Sequence, residues 1–134
     1  MRDDERPFAA LAHLLAAIPL WGVIGDTVIW LYFKERCREV VFHAQQAILF
    51  QVTVLVLIVV AEVAALLGRI VRFINENLSE FILDANYKIL IVCFVAYVAI
   101  CLYGAWVTWT GGSFLYPFIG RRMAQGFRRN QEDA

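Results

Sequence analysis

Three apolar runs constrain this chain more than any other feature. Phe8 to Phe33 is 26 residues long and, of all Asp, Glu, Lys, Arg and His, contains only His13 and Asp26. Ala47 to Leu67 is 21 residues long, interrupted by Gln51, Thr53 and Glu62. Ile89 to Thr110 is 22 residues long and holds no Asp, Glu, Lys, Arg or His. A helix needs about 20 apolar residues to cross about 30 Å of hydrocarbon. Lipid offers backbone groups no hydrogen-bond partner, so such runs must be helical. The expected fold class is an all-α integral membrane protein forming a single membrane domain, with full spans at 47–67 and 88–110. Composition agrees: 61% of the 134 residues are hydrophobic, 18% are charged, and the mean hydropathy is +0.65. Soluble domains run nearer half apolar and about a quarter charged, and disorder is excluded by so much apolar surface. Twelve basic and twelve acidic side chains cancel, so no nucleic-acid partner is expected, since phosphate recognition needs a net basic face.

The first run admits two paths. Pro19 lacks a backbone N–H, and Gly22 and Gly25 follow within two turns. One path is a single kinked span. The other is a helical hairpin over 8–33, short or re-entrant, turning near Pro19 to Gly25, with Asp26 as the N-cap of its second arm. Basic residues favour the hairpin, because Lys and Arg collect on the cytoplasmic side. With both termini inside, Arg2, Arg6, Lys34, Arg36, Arg38, Arg121, Arg122, Arg128 and Arg129 face Arg69, Arg72 and Lys88 outside. The expected organisation is then a cytoplasmic loop at 34–46, an outer segment at 68–87 and a basic cytoplasmic tail at 111–134.

The outer segment carries a helical pattern of its own. Ile70, Val71, Ile74, Leu78, Phe81 and Ile82 share about a third of a helical wheel, opposite Arg69, Arg72, Glu76, Ser79 and Glu80. It reads as a separate amphipathic helix, lying in the headgroups or packed on the protein's own spans. At the inner end, Trp106, Trp109 and Tyr116 form an aromatic belt fixing helix depth. Arg121 and Arg122 in the tail suit anionic headgroups, so membrane lipids are expected partners. The acidic start Met1-Arg2-Asp3-Asp4-Glu5 is unlike a signal peptide, and Cys37, Cys93 and Cys101 form no disulfide framework.

Polar residues inside apolar runs are the candidate site. His43, Gln46, Ala47, Phe50 and Gln51 spread over about 140° of one helix face. An imidazole and two amides there read as hydrogen-bonding glue between helices, or as a polar vestibule for a solute. A metal site is disfavoured because His43 has no partner at ligand spacing. Glu62 is costly in a span, where an acid should face the bundle, be protonated or pair; Tyr97 and Cys101 are its expected partners, unless it reaches the outer interface. His13 is expected to be a buried hydrogen-bonding group.

These residues also carry a resemblance. Leu11-Ala12-His13-Leu14-Leu15, a Pro/Gly turn into Ile29-Trp30-Leu31, the stretch Phe42-His43-Ala44-Gln45-Gln46-Ala47-Ile48-Leu49-Phe50-Gln51 and a closing Gly112-x-x-x-Tyr116-Pro117 resemble a bacterial family of small four-helix membrane proteins of unknown function. That family is remotely grouped with the Tic-type channel subunit of the chloroplast inner-envelope translocon. The resemblance implies four membrane helices, no catalytic residues, no cofactor and a place in the bacterial cytoplasmic membrane. The expected role is a non-enzymatic accessory or scaffold subunit, translocon-like by that remote link, with other membrane proteins or further copies of itself as partners. The alternative is an oligomeric channel or small-solute transporter lined by Glu62, Gln51 and His43. No catalytic arrangement of side chains is legible, so an enzyme is not expected.

Overall fold

The computed structural model describes residues 5–116 and residue 120. Among them the chain is all-helical, with no strand: α1 is Arg6–Ala16, α2 Trp21–Phe33, α3 Arg38–Val71 and α4 Glu76–Trp109. The long helices α3 and α4 have 34 residues each, about 51 Å at 1.5 Å per residue, and both are apolar enough to cross a membrane. Only 11% and 22% of their most apolar windows are buried within the chain. The core helix of a soluble protein hides such a surface; here it is left for lipid. The chain divides into two compact units, Met1–Val52 with Ala99–Ala134, and Thr53–Val98.

In the first unit the packing is inverted relative to a soluble protein. Helix α1 starts with a proline in its first turn, where the missing N–H costs nothing. It buries Ala9, Ala12, His13 and Ala16 and exposes Phe8, Leu11 and Leu14. Helix α2 buries Gly22, Asp26, Ile29 and Phe33 and exposes Trp21, Ile24, Val28 and Leu31. Apart from Ile29 and Phe33 at the end of α2, small and polar residues face protein while large apolar ones face outward, the arrangement expected where the solvent is hydrocarbon. The two helices pack on each other, so residues 8–33 do not form one continuous helix.

The break falls at Ala17–Leu20, earlier than the Pro19 to Gly25 turn expected from sequence. Ala17 and Ile18 close the last turn of α1 through Leu14 and Leu15 carbonyls, and Trp21 N–H bonds the Pro19 carbonyl at 2.9 Å around Leu20, whose φ is 69°. That is a γ-turn in the strained left-handed region. Gly22 and Gly25 lie inside α2, where they serve close approach: a Cβ on Gly22 would strike the Leu15 carbonyl. Asp26 is accordingly mid-helix, and its expected role as an N-cap is corrected. The loop expected over 34–46 is also shorter, because α3 begins at Arg38.

Helix α4 ends in a Schellman motif. Gly111 has φ 86°, Gly111 N–H bonds the Thr108 carbonyl at 3.1 Å, and Gly112 N–H bonds the Val107 carbonyl at 2.9 Å. A left-handed residue there favours glycine. The reversal sends Ser113 to Tyr116 back, and Gly104 leaves space for the Phe114 ring, which a Cβ would meet at 2.8 Å.

The second unit is a helical hairpin. Asn75 Oδ1 accepts the Leu78 N–H at 3.1 Å, an N-cap bond that starts α4, and Gly68 lets α3 approach Ile82 and Leu83 of α4. Residues 68–87 therefore do not form the separate amphipathic helix expected. They are the end of α3, a turn and the start of α4. The apolar pattern that suggested one helix is split by a turn at Arg72–Asn75, where Phe73 and Ile74 are 93% and 86% exposed.

Candidate functional site

Buried polarity concentrates in the first unit. His13, Asp26, His43, Gln46, Gln51 and Thr108 are all buried, as are Tyr116 and Cys101. Their positions follow from helix periodicity. His43, Gln46, Ala47, Phe50 and Gln51 make one buried face of α3, His13 sits on the alanine face of α1, and Asp26 lies one turn from Gly22 on the inner face of α2.

The centre of the cluster is a hydrogen-bonded chain. His13 Nδ1 and the Tyr116 hydroxyl are 2.9 Å apart, and His13 Nε2 and His43 Nδ1 are 3.1 Å apart. One proton must sit between the two imidazoles, so one nitrogen donates and the other accepts. If His43 donates to His13, the remaining His13 N–H donates to Tyr116. If His13 donates to His43, the Tyr116 hydroxyl donates to His13. Both arrangements are complete with neutral rings; neither survives when both imidazoles are protonated. Tyr116 stacks its ring on Phe50 at 4.2 Å between centroids, and its backbone N–H donates to Gln46 Oε1 at 3.2 Å. Phe114 meets the His13 ring edge-on at 5.3 Å. Residue 116 is thus held by side chains from α1 and α3 and by Phe114 of its own loop.

A second pair lies on α2 and α3. Gln51 Nε2 donates to Asp26 Oδ2 at 2.5 Å. Asp26 Oδ1 and Gln51 Oε1 are buried acceptors with no donor among the described residues. Gly22 is what admits the amide, since a Cβ there would stand 2.7 Å from Gln51 Oε1. Beside the histidines is a recess of about 340 Å³ lined by Arg6, Glu39, Phe42, His43 and the loop Gly111–Phe114. Among the described residues no group of three or more His, Cys, Asp or Glu is placed to hold a metal ion.

Two sequence expectations change here, and one contact is new. His43 is hydrogen-bonded to His13, 30 positions away on another helix, a contact that no spacing along the chain could reveal. Tyr116, expected at the lipid interface, is fully buried, because the glycine turn after α4 folds it inward. Glu62 neither faces a bundle nor pairs with Tyr97 or Cys101. It is exposed on α3 and has no partner among the described residues. Trp106 and Trp109 are 68% and 60% exposed near the end of α4. Arg121 and Arg122, and with them the basic tail from residue 121, lie outside the described residues.

No curated protein and no solved structure matches the chain. A family model does, over residues 4–123, and it is that of the magnetosome magnetite crystal formation proteins. The match spans α1 to α4 and every buried polar residue named above. This membrane protein belongs to the magnetosome magnetite crystal formation protein family (MamF/MmsF).

Proposed function

We propose that this chain is a non-enzymatic accessory component of magnetite crystal formation, acting from within a bacterial membrane. The family match over residues 4–123 carries the reading. The cluster supports it. Its hydrogen bonds tie α1 to α3 and residue 116, and α2 to α3, and among the described residues we read no nucleophile–base arrangement around a substrate space. Such a site fixes shape rather than performing chemistry. We place α3 and α4 as the two crossings and both termini in the cytoplasm, on the distribution of Lys and Arg. The translocon-like role and the link to the plastid channel subunit gain nothing from the family match and are not carried further. The solute-pathway reading is also disfavoured, because Gln51 is buried against Asp26 and Glu62 is exposed on its helix, so neither joins His43 at the recess it lines.

Deletion and complementation test the proposal. Magnetite crystals in cells lacking the gene should change in size or number by electron microscopy, and the wild-type chain should restore them. Crystals unchanged by deletion would refute the role. A strictly monomeric, partner-free protein from gently solubilised membranes would remove the accessory-subunit part.

A further inference from the structure

The hairpin of the second unit carries charges that its own fold leaves unanswered. Glu62 and Arg69 on α3 and Glu80 on α4 are exposed and have no ion-pair partner among the described residues. Lys88 is exposed and, among the described residues, is held only by Asp84, at 2.6 Å. Glu62 lies within the run 47–67, which carries no other charge, and an acid facing hydrocarbon is disfavoured.

The hairpin's register sets the heights of these groups. Gly68 of α3 meets Ile82 and Leu83 of α4. Glu62 is six residues from Gly68, and Lys88 is six from Ile82, so both lie about 9 Å from that crossing in the same direction. Arg69 and Glu80 lie on its other side, one and two residues away, within about 3 Å of it. Glu62 is therefore level with Lys88, and Arg69 with Glu80.

Azimuth prevents the Glu62 and Lys88 match from being made within one chain. Ser79 and Tyr97 are buried on the inner side of α4, and Lys88 stands nine residues from each. Nine residues at 100° turn Lys88 to the opposite side, away from α3. Glu80 lies about 100° from Ser79 and Asp84 about 140°, so Glu80, Asp84 and Lys88 form a stripe on the outer flank of α4. On α3, Glu62 and Arg69 lie within about 20° of each other, beside the buried face of Ala65 and Gly68.

We infer that two copies of this chain associate by laying the outer flank of α4 in one against the α3 flank of the next, pairing Glu62 with the neighbour's Lys88 and Arg69 with the neighbour's Glu80. Copies inserted in one membrane with the same orientation keep their heights, so the register that matches these groups within a chain also matches them between chains. Both pairs have opposite sign, and the two stripes have nearly equal spacing, seven residues against eight. The contact joins two different surfaces and is heterologous, so each copy has a free flank left for another, giving a ring or a row.

Crosslinking in membranes of a host that makes no magnetite tests this independently of the proposed role. In a Cys93→Ala background, a Glu62→Cys chain with one tag is co-expressed with a Lys88→Cys chain carrying another. The mixed-tag dimer should form, and Glu62→Cys alone should give little. Glu62→Lys should weaken association about tenfold, in the range of polar contacts between membrane helices. The exchange Glu62→Lys with Lys88→Glu should restore it. Absence of the mixed dimer from correctly inserted protein, equally efficient crosslinking of Glu62→Cys with itself, or failure of the exchange to restore association would each overturn the inference.

Discussion

Replacing Tyr116 with Phe removes one oxygen atom from a fully buried site and little else. The ring keeps its stacking on Phe50 at 4.2 Å, and no cavity larger than the hydroxyl opens. What is lost is the partner of His13 Nδ1, at 2.9 Å. His13 is itself fully buried, so that nitrogen is left unsatisfied. An unpaired buried polar group costs about 1–3 kcal/mol. Tyr116→Phe should destabilise the protein by that amount, a factor of about 5 to 150 in the folded-to-unfolded ratio. Tyr116→Ala should cost more, by about 3–5 kcal/mol for the missing ring. Reversible unfolding in mixed micelles, followed by tryptophan fluorescence, reads both. Combining Tyr116→Phe with His13→Leu should be non-additive by about 0.5–3 kcal/mol, since the two groups share one bond. The reasoning is refuted if Tyr116→Phe stays within about 0.5 kcal/mol of wild type, the behaviour of an ordinary surface site. A tyrosine in the headgroup region, as the sequence alone suggested, would behave in that way.

Other consequences follow from single contacts. Gly22→Ala drives a methyl group into the Leu15 carbonyl and the Gln51 amide; overpacking of this kind costs about 1–3 kcal/mol, and the same unfolding assay should show it. Asp26→Asn supplies an N–H to a pair in which Gln51 Oε1 lacks a donor, while Asn Oδ1 can still accept from Gln51. It should stabilise by about 1 kcal/mol, and a loss of stability would show that the second Asp26 oxygen is needed as an acceptor. Leu20→Gly relieves a left-handed backbone at φ 69°. That strain is worth about 1–3 kcal/mol, against about 0.5–1 kcal/mol of added chain entropy, so the midpoint of unfolding should rise, and a fall would contradict the turn geometry.

The physical logic of the first unit is best seen in α1. Its buried side is alanine and one histidine, and its exposed side is phenylalanine and leucine. In water that choice would leave large apolar surface hydrated at about 25 cal/mol per Å². In lipid the penalty vanishes, and close packing with internal hydrogen bonds decides which residues turn inward. The same rule accounts for Gly22 and Asp26 on the inner face of α2 while Trp21 and Val28 face out.

Length and charge in the sequence were enough to determine that the chain is helical, that two runs are long enough to cross a membrane, and that Pro19 interrupts the first. The face of α3 bearing His43, Gln46 and Gln51 was equally legible, because a 3.6-residue period is a local property. What tertiary structure alone decided is which of these groups meet. His13 finds His43 across 30 positions and Tyr116 across 103, Gln51 finds Asp26 across 25, and Tyr116 turns inward because Gly111 reverses the chain after α4. It also decided that residues 68–87 bend into a hairpin instead of running on as one helix, since their apolar wheel is the same up to Arg72 whether or not the chain turns there. Periodicity fixes which side of a helix is polar. Only the packing of one helix on another selects the partner that a buried polar group, unable to reach water, must find.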